Sequence, residues 1–215
     1  MLSPADTFLP WDLTDFEQVT ARRFPHRCSI RRVTPTPDGS GGWVDTASEI
    51  QTVPCALTRM LTPREILSGS GVAGISDWRL LLPNDTDLQS TDDVLPWWEW
   101  RVSLGPATAG TFTLIYGGHT TAAIAYNALA DAVSVRLSAL PSIGAGNVVV
   151  SGTPGGPYRL RLVGARAANE AAITASFAGL TAGDGVIERP AFSVIGIEDM
   201  ATDQPQMTAY LTRRR

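Results

Sequence analysis

Alternation of apolar and polar residues predicts β-strands along most of this chain. In the segment IQTVPCALTRM, Val53, Cys55 and Leu57 fall on one face, as expected for a half-buried strand with a side-chain period of two. The strand CSIRRV precedes it across the turn-forming residues PDGSGGW. These two strands predict a hairpin that opens a β-domain.

The tryptophan-rich segment WWEWRVSL is a further strand with both faces occupied. One face carries Trp98, Trp100 and Val102, and the other carries Trp97, Glu99 and Arg101. Core filling is the ordinary role of tryptophan, whereas exposed aromatic residues are typical of subunit contacts. We therefore predict one core face and one interface face.

Two regions depart from the strand pattern. Residues 1–26 are expected to form an N-terminal arm with a short amphipathic helix over Asp12–Arg22, because Leu13, Phe16 and Val19 recur at helical spacing. Residues Thr62–Ser76 are rich in glycine and serine, which predicts a long loop.

Near Gly105 the composition changes to alanine, glycine, threonine and serine, which predicts an inserted domain over 106–186. Its segments predict the order ββαβββ: GTFTLIYG, HTTAAI, NALADAVSVRLSAL, NVVVSG, YRLRLVG and AAITASF. Alternating strands return in ERPAFSVIGIEDM and QPQMTAYLTRRR. The outer domain is thus expected to be discontinuous, over 27–105 and 187–215, and the fold to be mainly β with an inserted α+β domain.

Composition and charge exclude several functions. The 215-residue chain has a formal charge of −4, which is contrary to a general affinity for DNA phosphates. All 17 basic residues are arginine, so Schiff-base and P-loop lysine mechanisms are excluded. The N-terminal residues lack the basic and apolar regions of a secretory signal, so we expect a protein that is made and used without crossing a membrane.

Metal binding or nucleophilic catalysis would depend on the histidines and cysteines. His26, Cys28, Cys55 and His119 suffice for zinc by number, but they contain no C-x-x-C or H-x-x-x-H pair. Neither histidine lies near a G-x-S-x-G motif. We predict reduced, buried thiols, no metal, no cofactor and no enzymatic activity.

Two charged clusters are candidates for contacts with other molecules. The acidic cluster consists of Asp85, Asp87, Asp92 and Asp93. It is either a solvated face or a wall that repels DNA. The basic cluster consists of the C-terminal Arg213, Arg214 and Arg215. One alternative is that it binds a phosphate or an acidic partner, and the other is that it forms a frayed, solvated tail.

Four outer segments follow a recognisable order: CSIRRVTPTPDGSGGWVD, VPCALTRM, DWRLLLPNDTDLQSTDDV and AFSVIGIEDMATDQPQMTAYL. Together they resemble the head-closure, or stopper, proteins of tailed bacteriophages. The resemblance implies a small β-barrel, interrupted here by the long insert between Leu104 and Ile187.

The insert has a resemblance of its own. The stretch GTFTLIYGGHTTAAIAYNALADAVSVRLSALPSIGAGNVVVSGTPGGPY is similar to a small module that recurs in phage virion proteins and in large bacterial surface proteins. That resemblance implies display or adhesion rather than catalysis.

The stopper resemblance implies a structural protein of the virion neck, assembled in the host cytoplasm. Such proteins form a ring of six or twelve copies below the portal and its adaptor. The ring closes the DNA-filled head and offers a platform to the tail terminator or tail tube protein. Double-stranded DNA passes through its channel without sequence-specific binding.

The same resemblance implies roles for groups of residues. A plug of the channel is expected in the loop at Thr62, Arg64, Glu65, Ser68, Gly69, Ser70, Gly71 and Gly74. The acidic cluster is expected to face the channel. Contacts between subunits are expected at Trp11, Phe16, Trp97, Glu99 and Arg101. The C-terminal arginines are expected to contact a partner protein.

Two alternatives remain open at this point. The first is a tail-completion or adaptor role on the other side of the same junction. The second is a virion surface or glycan-binding module, with the insert as the functional part and the barrel as its mount.

Overall fold

The structure is a computed structural model that describes residues 23–68, 71–198 and 206–214. Strands joined in antiparallel pairs dominate these ranges, which confirms the predicted mainly β fold. The predicted helix Asp12–Arg22, with Trp11 and Phe16, lies outside the described residues.

The strands and the helix have the following bounds: β1 (His26–Pro37), β2 (Trp43–Ser68), β3 (Gly71–Pro83), β4 (Asp93–Pro96), β5 (Glu99–Ser103), β6 (Ala109–Tyr116), β7 (His119–Thr120), β8 (Ile124–Ala125), α1 (Ala130–Ser138), β9 (Val148–Ser151), β10 (Tyr158–Leu162), β11 (Thr174–Ser176), β12 (Leu180–Thr181), β13 (Val186–Glu188), β14 (Phe192–Glu198) and β15 (Gln206–Arg213).

Six strands pair in a closed cycle and form a small barrel. Their order is β1-β2-β3-β15-β14-β4, and β4 closes the cycle because it pairs with both β1 and β14. The apolar positions that alternate along these strands point inward and are almost fully buried, as at Ile30, Leu80, Val94, Phe192 and Leu211. The chain leaves the barrel after β4 and returns to it at β14.

The intervening residues form a second sheet, a third sheet and α1. The second sheet has the order β13-β5-β10-β9, and in the third sheet β6 pairs with β7, β8, β11 and β12. Helix α1 packs on β9 and buries Val133 and Leu137. The predicted strands and helix of the insert are therefore present, with further short strands between them.

Strand β5 lies in the second sheet and not in the barrel. Residues up to 105 were assigned to the outer domain, but Trp100 pairs with Leu160 and Val102 pairs with Tyr158 on β10. These four side chains are buried together, because the alternating apolar face of β5 belongs to the core of the insert. The boundary at 105 is corrected to the end of β4.

The predicted loop Thr62–Ser76 is instead the distal half of the β2–β3 hairpin. Register pairs continue from Arg64 opposite Ser76 to Ser68 opposite Gly71. A β-carbon on Gly74 would lie at an ordinary 3.4 Å from Ile195 Cδ1. The loop prediction is wrong because glycine and serine indicate flexibility only locally, whereas pairing between β2 and β3 holds this segment in strands.

Strands β1 and β2 also extend far beyond the barrel. Their paired residues reach from Thr34 opposite Thr46 to Pro37 opposite Trp43, and every residue over Thr34–Gly41 and Trp43–Ile50 is exposed. We call Thr34–Ile50 the finger.

Candidate interaction surfaces

A buried ion-pair network holds the rim of the barrel together where β1 meets β4. Arg32 donates to both carboxylate oxygens of Asp92, from Nε at 2.9 Å and from Nη2 at 2.8 Å. The backbone N–H of Gln89 donates to the same carboxylate at 2.9 Å. Asp92 has a fully buried side chain, so these bonds replace the water that it loses on folding.

Asp93 is the second buried carboxylate of the rim. It accepts hydrogen bonds from Arg31 and Arg214, each at 2.8 Å, and from Ser193 Oγ at 3.0 Å. The bond from Arg214 ties the end of the described chain to β4. Three donors around one carboxylate make Asp93 a structural anchor of the barrel.

These contacts correct the expectation of a channel-facing position for two residues of the acidic cluster. Asp92 and Asp93 are buried and bonded by three arginines, Arg31, Arg32 and Arg214. Asp85 and Asp87 are exposed. Arg32 bonds Asp87 at 3.0 Å and thereby lowers the pKa of this carboxyl group.

The β2–β3 hairpin is anchored to the barrel through Arg64, a residue expected in a channel plug. Its Nη1 donates to Tyr210 Oη at 2.5 Å, and its Nη2 lies 3.3 Å from Glu198. Tyr210 in turn donates to Glu198 at 2.9 Å. Burial and the bond to Glu198 raise the pKa of Tyr210. Arg64 therefore ties β2 to β14 and β15 within one chain.

The other predicted plug residues occupy different positions along the same hairpin. Thr62 lies in an irregular stretch where four residues of β2 stand opposite one residue of β3. Glu65 is exposed on β2 opposite Ile75. Ser68 pairs with Gly71 at the end of the described register. Gly69 and Ser70 lie outside the described residues.

A cleft of about 760 Å³ separates the barrel rim from the second sheet. Arginine dominates its walls: Arg31, Arg101, Arg159, Arg189, Arg213 and Arg214. Three acidic residues, Glu49, Asp77 and Glu188, share the lining with Trp97 and Trp100. We call this the arginine cleft.

Trp97, expected at a subunit interface, lies half-buried inside the arginine cleft. Its indole Nε1 donates to Ser29 Oγ at 2.8 Å, and the guanidinium of Arg189 stacks 4.2 Å from its ring centroid. Arg189 also forms an ion pair with Glu49. Although burial opposes the shift, the bonds from Arg189 and Ser29 lower the pKa of Glu49. Trp97 thus joins the barrel to the insert within one chain.

The remaining predicted contact residues also form pairs within the chain. Glu99 is bonded by Arg213 at 2.5 Å, and Arg101 lies 3.5 Å from Glu188. Arg213 also lies over the ring of Phe192 at 5.5 Å. Arg213 and Arg214 are therefore not a frayed tail, and Arg215 lies outside the described residues.

Sequence reasoning missed the two arginines of β10 that remain without an ionic partner. Arg159 and Arg161 are exposed and alternate with buried Tyr158, Leu160 and Leu162. Within the described ranges neither forms an ion pair. The alternating segment YRLRL contains this signal, since its polar positions are both arginine.

The thiols are free and buried, as predicted. Cys28 and Cys55 have no exposed surface, and burial together with a hydrogen bond to Cys28 raises the pKa of Cys55. His26 stacks on Trp98 with ring centroids 4.2 Å apart. In the described part of the chain, no three His, Cys, Asp or Glu side chains are grouped to hold a metal ion.

Comparisons with known proteins give a distant likeness. No protein-family model matches the chain, and no curated protein matches it. A solved structure described as Mycobacterium phage Patience is similar with a TM-score of 0.36 and 17% identity, over 85% of this chain and 84% of that chain. This likeness is too distant to assign a role to the chain.

Over the described ranges, the chain contains no helix of the length and apolarity that a membrane span requires.

Proposed function

We propose that this chain is a structural protein of a tailed-bacteriophage neck. In this proposal several copies form a ring below the portal and its adaptor. The ring closes the DNA-filled head and presents a platform to the tail terminator or tail tube protein. The protein acts by assembly and has no catalytic role.

The observation that carries the proposal is the discontinuous barrel. The four segments with the stopper resemblance supply the six barrel strands, although residues 97–191 separate the last two of those strands from the first four. The closed sheet supports the resemblance, because strands from distant segments can close a barrel only if their lengths, tilt and register fit one another. The insert leaves the barrel between β4 and β14, where a compact relative would need only a turn.

The surface of the protein suits a neck role in two further respects. The net charge of −4 disfavours adhesion of DNA to the ring as it passes through. The finger and the β2–β3 hairpin extend from the barrel, so one copy offers long elements with which to reach its neighbours. The expectation that the end of the β2–β3 hairpin closes the channel stays a prediction.

The test is a stop codon early in this gene, in the phage that encodes it. Loss of a neck ring should yield heads that have lost their DNA beside detached tails, seen by electron microscopy and by DNA that becomes sensitive to nuclease. Supplying the intact gene from a plasmid is the control and should restore complete virions. Complete virions that merely adsorb poorly would contradict the proposal and favour the surface-module alternative.

The position within the neck is tested by binding. A head-closure protein should bind the portal and adaptor complex in the absence of tails, whereas a tail-completion protein should bind purified tails in the absence of heads. Sedimentation of the tagged chain with each purified particle distinguishes these two positions.

A further inference from the structure

The finger carries an apolar face that the described residues of its own chain leave uncovered. Register pairs place Trp43 opposite Pro37, Asp45 opposite Pro35 and Ala47 opposite Val33. These alternate positions share one face of the finger. Trp43 is 69% exposed, and Asp45 is the single charge among the six residues.

The opposite face of the finger is internally bonded and carries more polar side chains, although Val44 is also exposed on it. Thr36 Oγ1 donates to the carbonyl oxygen of Val44 at 2.9 Å and lies 3.0 Å from Thr46 Oγ1. Asp38 orders the turn by accepting the backbone N–H groups of Ser40 and Gly42, each at 2.8 Å. The finger is thus a two-stranded hairpin with one polar and one apolar face, and isolated two-stranded hairpins of this kind are marginally stable in water.

The face of the second sheet that carries Arg101 and Arg159 complements this apolar face, because it combines positive charge with exposed apolar side chains. Arg159 stands directly opposite Arg101, and like charges in this position repel each other. Arg161 is exposed on the same face opposite Glu99, which is itself bonded by Arg213. Val149 and Val186 are each more than half exposed near the edges of this face. The face therefore has apolar edges and cationic groups in excess at its centre.

The charges of the two surfaces are opposite. Between Thr34 and Ile50 the finger contains three anions, Asp38, Asp45 and Glu49, and no cation. Glu49 is paired with Arg189, which lies outside the finger. Over the described residues, neither Asp38 nor Asp45 forms an ion pair, as is also true of Arg159 and Arg161. Asp45 on the apolar face and Asp38 at the turn of the finger thus match two cations without an ion pair on the second sheet.

We propose that the finger of one copy docks on the face of the second sheet of a second copy of this chain where Arg101 and Arg159 line the arginine cleft. In this contact Trp43 covers the apolar edge and Asp45 pairs with Arg159. The contact is head-to-tail, because the two surfaces are different parts of the same chain, and repetition of such a contact closes a ring or extends a filament. This inference rests on the proposed ring and names the surfaces that would form it.

Two complementary variants test the contact in solution. The finger variant is Asp45→Arg, and the face variant combines Arg159→Ala with Arg161→Ala. Thr46→Arg, on the polar face of the same finger, is the control for the first, and Arg136→Ala, exposed on α1, is the control for the second. Self-association of the full chain is measured by sedimentation velocity over a range of protein concentrations.

The expected result is specific to a head-to-tail contact. Each variant alone should self-associate at least about tenfold more weakly than the unaltered chain. A mixture of the two should form heterodimers that grow no further, because the mixture holds one intact finger and one intact face per pair. The controls should assemble like the unaltered chain.

Two results would overturn the inference. One is an unaltered chain that stays monomeric at the highest concentration reached, and the other is a pair of variants that assemble like the unaltered chain. Either result leaves the phage experiment above unaffected, since a neck ring that assembles through other surfaces would still give detached tails and empty heads when the gene is lost.

Discussion

At the scale of single residues, the barrel depends on carboxylates that are buried among arginines. Asp92 is enclosed by Arg32 and by the backbone N–H of Gln89. Removing one partner of a buried pair leaves the other charge without its bonds, which costs more than the pair itself contributes. The strand predicted over CSIRRV contains Arg31 and Arg32, but the strand pattern does not specify which aspartates they reach across the sheet.

Asp92→Ala should therefore lower the free energy of unfolding by about 3 kcal/mol. Urea denaturation followed by tryptophan fluorescence measures this loss. Asp85→Ala is the matched control, and because Asp85 is exposed it should change stability by less than about 0.5 kcal/mol. Equal effects of the two substitutions would mean that the rim network contributes little.

His26 gives the protein a pH dependence near neutrality. Burial against Trp98, and then the charge of Arg161, lower the pKa of His26 below 6.5. The folded state thus prefers neutral histidine, and the unfolded state binds more protons as pH falls below 6.5. Stability should decrease as pH falls from 6.5 towards the lowered pKa, as measured by urea midpoints. His26→Gln should remove this decrease, and an unchanged pH dependence in the variant would assign it to other groups.

At the scale of elements, the β2–β3 hairpin is held against β14 by close packing as well as by Arg64. Ile66 is buried over Gly196, where β14 and β15 shift register. A β-carbon at Gly196 would overlap Ile66 Cγ2. Because Ile66 is β-branched, its methyl group has little freedom to move away.

Gly196→Ala should therefore destabilise the protein by about 2 kcal/mol, as overpacking of a tight contact does. Gly74→Ala is the matched control, since its β-carbon would meet Ile195 at an ordinary 3.4 Å. Thermal unfolding of both variants gives the comparison. In the Ile66→Ala background, Gly196→Ala should cost less than it does alone, and additive losses would show that the two residues are not in contact.

The elements also show which features of the fold the sequence determines locally. Alternation predicted strands over YRLRL and WWEWRVSL, and for the second it also predicted the buried face, because side-chain period is a local property. The hairpin over Thr62–Ser76 was missed, since its strands are stabilised by Ile66 on Gly196 and by Arg64 on Tyr210, both distant in sequence. Pairing between distant segments also decided the ion pairs of Asp92, Asp93 and Arg214, which composition alone cannot specify.

At the scale of the whole molecule, the insert and the barrel are joined by β5 and β13. Both strands belong to the second sheet, where β5 lies between β13 and β10. Trp97 and Arg189 flank these strands and bond to Ser29 of the barrel. The boundary predicted from composition, 106–186, divides this sheet, because composition changes at Gly105 while the sheet begins earlier.

This division makes the independence of the insert testable. A fragment of residues 97–189 keeps β5 and β13, so it should fold, with a cooperative thermal transition and dispersed amide resonances. A fragment of residues 106–186 lacks the central β5 and, with it, the buried Trp100, Val102 and Leu104. It should lack a cooperative transition, because β10 loses a paired neighbour and its core loses three large side chains. If both fragments fold equally well, the core of the insert would be sufficient without β5, and the insert would be separable from the barrel at the boundary that composition predicts.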